Sequence, residues 1–204
     1  MTTWDKFFVD KVQKIFKDKN SVLDIGGGLR IVEEKNNRYN PANEWIKPYL
    51  KDIDYKIMDP VDTYHPDIIG DIHKMPFADN TQSAIICLAV LEHVENPIKA
   101  VEEIYRVLKP GGYCLIYVPF LYYYHAEKGY YGDYWRFTKD NLELLSKPFS
   151  SKEIISVRGA IGTWIKLSTL GRAKFLESFW YFLDKISGKI NSKQVSGYYA
   201  FLIK

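Results

Sequence analysis

AIICLAVLEHVENPIKAVEEIYRVLKPGGYCLIYV, residues 84–118, decides the fold class. AIICLAV (84–90) is a continuous apolar run, the pattern of a strand buried on both faces. PIKAVEEIYRVL (97–108) has helical spacing, with proline in its first turn and Gly111-Gly112 just past its end. YCLIYV (113–118) is apolar again. A strand, a helix and a strand in that order form one unit of a parallel sheet.

The alternation continues outward. Short apolar runs stand at SVLDI (21–25), YKIM (55–58), DII (67–69), EIISV (153–157) and YYAFLI (198–203). Residues 3–18 place Trp4, Phe7, Phe8, Val12, Ile15 and Phe16 at helical spacing, with charge on the other face. TKDNLELL (138–145) predicts a second capped helix. The pattern is α/β: a mainly parallel sheet covered on both faces, whose last run is an antiparallel edge strand. Two segments read as additions. Residues 29–52 are polar, with a helix near Asn43–Leu50. Residues 159–190 form a helical insertion before the last strand, with Phe175, Leu176, Phe179, Phe182, Leu183 and Ile186 on one stripe and Lys174, Glu177, Asp184 and Lys185 elsewhere. That stripe predicts a helix packed on its own domain. A homodimer surface or a peripheral membrane contact through 173–190 is the alternative.

A chain of 204 residues is read as a single domain over 1–204 with a sizeable core. Its 47% hydrophobic and 26% charged residues are ordinary for a globular protein, while 16% aromatic is high. A net charge of +3 is too small to argue nucleic-acid binding by itself. Cys87 and Cys114 sit in apolar runs, which suggests buried thiols in a reducing compartment; no metal-ligand spacing surrounds them, and no metal is expected. MTTWDKFF lacks the pattern of a signal peptide, and no apolar run approaches membrane-spanning length. The expected location is cytoplasmic.

Three motifs carry chemistry. VLDIGGGLR (22–30) ends a buried strand in an acid and a glycine turn, where backbone can approach a ligand closely. The dinucleotide pattern G-x-G-x-x-G fails, because Ile31 stands where the third glycine belongs. Asp59 ends YKIMD, where an acid grips a ribose diol through charge-assisted hydrogen bonds. The polar insert at 29–52 explains its distance from the glycines. The third motif is GDIHKMPF (70–77), followed by the central strand, LEH and EEIYRVLKPGG.

Taken together, VLDIGGG, Asp59, GDIHKMPF, AIICLAV with LEH, and EEIYRVLKPGG before YCLIYV resemble a class I S-adenosylmethionine-dependent methyltransferase of the small-molecule, type 11-like branch. The resemblance covers roughly residues 20–120. It implies a doubly wound, Rossmann-like, seven-stranded and mainly parallel sheet with an antiparallel last strand, and S-adenosyl-L-methionine as cofactor. It assigns Asp24, Gly26, Gly27 and Gly28 to the loop around the methionine moiety. Asp59 is assigned to the ribose, Asp71 and Ile72 to the adenine, and Ala89 to Leu91 to the pocket near the sulfonium. Glu92 and His93 follow at the pocket mouth. Arg30 departs from the family, which often has a third glycine there.

YYYHAEKGYYGDYWRFT (122–138) begins just past the tip of the YCLIYV strand, the position of a substrate lid. It resembles a subgroup with a proline-aromatic turn, a histidine and an acid-aromatic-aromatic-Arg-Phe-Thr run, presumed to act on sugars or related metabolites. A methyl acceptor hydroxyl needs a base. His125 is the first candidate because it titrates near neutrality, with His93 and Asp133 in reserve. Tyr124, His125, Tyr134 and Arg136 are expected to bind a small-molecule substrate, carbohydrate or polar aromatic. For Asp133 and Arg136 a mutual salt bridge that pins the lid is the competing reading.

These features predict O-methylation of a small molecule. A nucleic-acid methyltransferase is the alternative, opposed by AVLEH in place of an Asn/Asp-Pro-Pro-aromatic run and by the lack of a dense basic patch. A non-catalytic cofactor-binding interaction domain is the third reading.

Overall fold

The first helix starts where its sequence dictates. Thr2 caps it, accepting from the Asp5 amide at 3.2 Å while the Asp5 carboxylate accepts from the Thr2 amide. The helix α1, Thr3–Asp18, buries Trp4, Phe7, Val12, Ile15 and Phe16, with Phe8 half-buried. The computed structural model describes residues 1–33, 39–168 and 176–204.

Seven strands follow: β1 (Ser21–Ile25), β2 (Asp54–Asp59), β3 (Ile68–Ile69), β4 (Gln82–Leu88), β5 (Leu108–Pro119), β6 (Ser151–Val157) and β7 (Gly197–Ile203). Their order is β3-β2-β1-β4-β5-β7-β6, with β1 to β5 parallel and β7 antiparallel to both neighbours. The last strand is therefore antiparallel as expected, but it is not an edge. It runs between β5 and β6, and its buried Tyr198, Ala200, Phe201 and Leu202 explain why it is apolar on both faces. β5 begins five residues before YCLIYV, because Leu108 pairs with Gln82 and the Lys109–Gly112 turn bulges before pairing resumes at Tyr113.

Side-chain alternation builds two cores. Leu23, Ile25, Ile85, Cys87, Cys114 and Ile116 face one side, under α2 (Pro97–Val107) and α3 (Lys139–Leu145). Val22, Ala84, Ile86 and Leu115 face the other, under α1 and the 3-10 helix Pro41–Asp52. That helix is wider than the predicted Asn43–Leu50 and tighter than an α-helix, with Pro48 inside it. Both cysteines are free and buried. Among the described residues no helix is long and apolar enough to cross a membrane.

The insertion corrects one expectation. Between β6 and β7 lie α4 (Ala160–Leu167) and α5 (Glu177–Ile186). Phe175 of the predicted stripe and Lys174 beside it lie outside the described residues, as does all of 173–175. In α5 the apolar stripe does not face the domain: Phe179, Phe182 and Ile186 are 49%, 54% and 66% exposed, whereas Asp184 is fully buried. The reason is polar. The Asp184 carboxylate accepts from the amides of Gly159, Ile161 and Gly162 at 2.9–3.1 Å and caps the start of α4. A Cβ on Gly159 would sit 2.5 Å from the Asp184 carboxyl carbon, so only glycine admits this approach. Asp184→Ala, which orphans three amides, two of them buried, is expected to lower unfolding stability by about 2–4 kcal/mol. Phe182→Ser is expected to cost under about 1 kcal/mol, as at exposed sites. Urea denaturation of the two variants checks this, and the opposite ranking would contradict the orientation of α5.

Candidate active site

The carboxyl ends of β1 and β4 meet where the strand order reverses, the position at which open α/β sheets hold ligands. Asp24 is fully buried there. Its carboxylate accepts from the amides of Gly28 and Leu29 at 2.9 and 3.0 Å and from the Tyr55 hydroxyl at 2.7 Å. Burial pushes its carboxyl up to about 6, against the pull of Tyr55 and the two amides. Gly26 and Gly27 have φ of +75° and +59°. A Cβ on Gly26 would meet Val90 at 2.7 Å, and one on Gly28 would meet Leu88 at 2.7 Å. The glycines thus let the β1 turn lie directly against the tip of β4. Arg30 takes φ +52°, the left-handed backbone that glycine would take more easily, and closes the turn by donating its amide to Gly27 O at 3.0 Å.

At the end of β2, Asp59 is 9% exposed, and burial raises its pKa. One carboxylate oxygen accepts from the Val61 amide at 2.8 Å, and the other has no hydrogen-bond partner among the described residues. Asp71 is more open; one oxygen accepts from the His73 amide and ring, and Ile72 beside it is buried.

β4 ends abruptly. Ala89 takes φ +56° and donates its amide to Tyr117 O at 3.0 Å, which turns the chain into the short helix Leu91–His93. Leu91 is fully buried. The Glu92 side chain is 1% exposed, and neither carboxylate oxygen has a hydrogen-bond partner among the described residues. Two imidazoles face it, with His93 Nε2 at 3.9 Å and His125 Nε2 at 3.7 Å.

The lid is stitched to this tip. The amides of Tyr134 and Trp135 both donate to Glu92 O, at 2.8 and 3.2 Å. The Trp135 indole donates to Val94 O at 2.9 Å, and Phe137 donates its amide to Pro119 O. Inside the lid, Asp133 accepts from the His125 amide at 2.8 Å and from both terminal nitrogens of Arg136 at 2.6 and 2.7 Å. On the outer side an open groove of about 550 Å³ is lined by Tyr124, Lys128, Tyr130 and Tyr134, among others.

This geometry coincides with the comparisons. A family model described as a methyltransferase domain matches residues 50–116. An uncharacterized methyltransferase of Schizosaccharomyces pombe is 32% identical over 111 residues, 49% of this chain and 40% of that one. A ubiquinone/menaquinone biosynthesis C-methyltransferase of Haemophilus ducreyi is 30% identical over 122 residues, 55% of this chain and 46% of that one. A SAM-dependent methyltransferase from Archaeoglobus fulgidus superposes with TM-score 0.63 over 98% of this chain and 93% of that one, at 14% identity. Residues 50–116 thus carry the mark of a methyltransferase domain, and the fold is that of the Archaeoglobus fulgidus S-adenosylmethionine-dependent methyltransferase. The chain spans less than half the length of the curated relatives named here.

The Archaeoglobus fulgidus structure is described as S-adenosylmethionine-dependent, and the residues present here fit that cofactor. The glycines keep the β1 turn bare of side chains, and the free oxygen of Asp59 can accept from a diol. The predicted lid residues divide. Tyr124 and Tyr134 are exposed on the outer groove, whereas His125 turns inward beside His93. Arg136 is fastened within the lid. Its five N–H groups are all engaged, by Asp133 twice and by the carbonyls of Tyr122, Tyr123 and Trp135. Asp133 is a poor base, because Arg136 chiefly, with the His125 amide, holds its carboxyl down to about 2. Glu92 was expected at the pocket mouth without a role of its own, and Tyr55 was not among the predicted site residues. The available signal for Glu92 was a lone acid in AVLEHV, flanked by apolar residues past a strand end.

Asp133 ties lid stability to pH. Its folded pKa is depressed, so its contribution is fully present above the unfolded value near 3.9 and is lost as pH falls towards about 2. Asp133→Asn is expected to destabilise the protein by about 1–3 kcal/mol at pH 7, with the gap narrowing from about pH 4 downwards. Denaturant titration of both proteins at several pH values measures it. A gap that is absent at pH 7, or one that does not change with pH, would contradict the assignment.

Proposed function

We propose that this chain, read as one methyltransferase domain over 1–204, transfers a methyl group from S-adenosylmethionine to a hydroxyl of a small molecule, a sugar or related metabolite. The observation that carries this reading is the Glu92–His93–His125 cluster at the β4 tip, beside the glycine turn and beneath the lid. Bound S-adenosylmethionine supplies a methyl group already activated by its sulfonium. Gly26 to Gly28, shaped by Asp24 beneath them, would hold the methionine end of the cofactor. Asp59 would accept from the ribose hydroxyls, and Asp71 and Ile72 would meet the adenine. The backbone of Ala89 to Leu91 would flank the sulfonium.

The remaining tasks belong to the chain: alignment, exclusion of water and removal of the acceptor's proton. His125 suits the last of these. Its pKa is raised, first by the facing Glu92 carboxylate, against burial. Its Nδ1 sits near Tyr123 O and Asp133, at 3.1 and 3.2 Å, which leaves Nε2 to face Glu92. Exposed Tyr124 and Tyr134 offer ring faces and hydroxyls that suit a carbohydrate. A second reading, methylation at ring carbon of a quinone precursor, is favoured by the name of the Haemophilus ducreyi relative. The same aromatic surface suits it, and an acceptor panel containing both classes separates the two.

Asp59→Ala is expected to weaken S-adenosylmethionine binding by about 1.5–3 kcal/mol, tenfold or more, measured by calorimetry. Unchanged affinity would remove Asp59 from the site. His125→Ala is expected to lower turnover roughly 100- to 10,000-fold while cofactor affinity holds. Unchanged turnover would remove His125 from the chemistry.

A further inference from the structure

The Glu92 carboxylate is the anomaly of this molecule. A buried carboxylate normally accepts two or more hydrogen bonds, and leaving one unsatisfied is expensive. Glu92 has none on either oxygen among the described residues, although its side chain is 1% exposed. What faces it is a pair of histidine nitrogens beyond hydrogen-bond length, at 3.7 and 3.9 Å.

The tautomers follow from the other ring nitrogens. His93 Nδ1 lies 2.6 Å from the carbonyl of Gly132, which can only accept, so Nδ1 carries the proton. His125 Nδ1 lies 3.1 Å from Tyr123 O and 3.2 Å from the Asp133 carboxylate, again acceptors. In each neutral ring Nε2 is then a bare lone pair. Both lone pairs belong to the nitrogens that face Glu92. A histidine whose Nδ1–H is held by a carbonyl or carboxylate while Nε2 stays free is the arrangement that orients imidazole ligands around a metal. Ligand atoms on a tetrahedral ion, about 2.0–2.2 Å from it, lie roughly 3.3–3.6 Å apart. The three groups here offer ligand atoms that all lie within 4.8 Å of one another, so a small closure brings them onto one ion.

We propose that Glu92, His93 and His125 form a divalent-metal site, two imidazoles and one carboxylate with open positions for water or substrate, selective for a zinc-class transition ion over magnesium. Nitrogen ligands set that preference, because magnesium favours an all-oxygen shell. An ion here would replace the missing hydrogen bonds of Glu92 with a full positive partner. It would also make His125 a ligand in place of a free base. Any role in holding an acceptor oxygen beside the methyl donor rests on the function proposed above; the site itself does not.

The test is direct binding to chelator-stripped, refolding-checked protein, with Zn²⁺, Co²⁺ and Mg²⁺ as probes and no substrate. One Zn²⁺ per chain is expected, together with a Co²⁺ complex with visible ligand-field absorption and no comparable Mg²⁺ binding. Glu92→Gln, His93→Gln and His125→Gln should each weaken Zn²⁺ binding tenfold or more. Asp133→Asn, which among the three proposed ligands meets only the backbone amide and the far ring nitrogen of His125, should weaken it by about ten- to a hundredfold. Metal-free Glu92→Gln should also melt no lower than the metal-free parent, since it removes an orphan charge. Absence of stoichiometric zinc, or zinc affinity indifferent to these variants, would overturn the proposal. So would a metal-free Glu92→Gln that melts well below the parent without zinc binding in either, the signature of a Glu92–imidazolium pair. Titrating S-adenosylmethionine into the same metal-free protein keeps the two proposals apart. Cofactor binding without zinc removes only the metal; zinc without cofactor removes only the methyl-transfer reading.

Discussion

At the carboxyl end of β1 a single buried carboxylate, Asp24, accepts from two amides of the glycine turn and from Tyr55 on the neighbouring strand. Much else hangs on that arrangement. It satisfies amides that the turn would otherwise bury without partners, and it holds Gly26 and Gly28 against Val90 and Leu88. The turn and the β4 tip are therefore one rigid unit. With the turn so close, the chain leaving β4 must bend sharply, and Ala89 does so with a left-handed backbone. That bend carries Glu92 and His93 to where the lid can be anchored on them.

The lid then has two jobs in one set of contacts. Its backbone hangs from Glu92 O, while its Asp133–Arg136 pair holds the loop's own shape and the orientation of His125. Saturating Arg136 within the lid makes it a fastening. The exposed tyrosines beyond it are free to meet a ligand because the fastening is made by other residues. The result is an inner cluster of titratable groups beneath an exposed aromatic rim.

The strands were legible because each carries a short apolar run, which in β1, β4 and β7 is buried on both faces, and the cap of α3 was legible because Thr138 acts locally. β7 was misplaced as an edge because its pairing with both β5 and β6 is long-range and leaves no local trace. α5 misled for a related reason. An apolar stripe is a fair sign of an inward face, but the three amides at the start of α4 needed an acceptor, and Asp184 turned the helix to supply it. In the site, the glycine turn and Asp59 could be read from strand-end motifs. Glu92 could be placed at the pocket mouth, but not its lack of hydrogen-bond partners; Tyr55 could not be read at all, since it acts through a partner on an adjacent strand.

The central claim is that the bare turn of β1, the free oxygen of Asp59 and the β4 tip together form a site for S-adenosylmethionine. Calorimetric titration of the purified wild-type chain with S-adenosylmethionine and S-adenosylhomocysteine addresses it most directly. One-to-one binding of both, with Kd on the order of micromolar, is the predicted result. A folded protein that takes up neither ligand at millimolar concentration would contradict it.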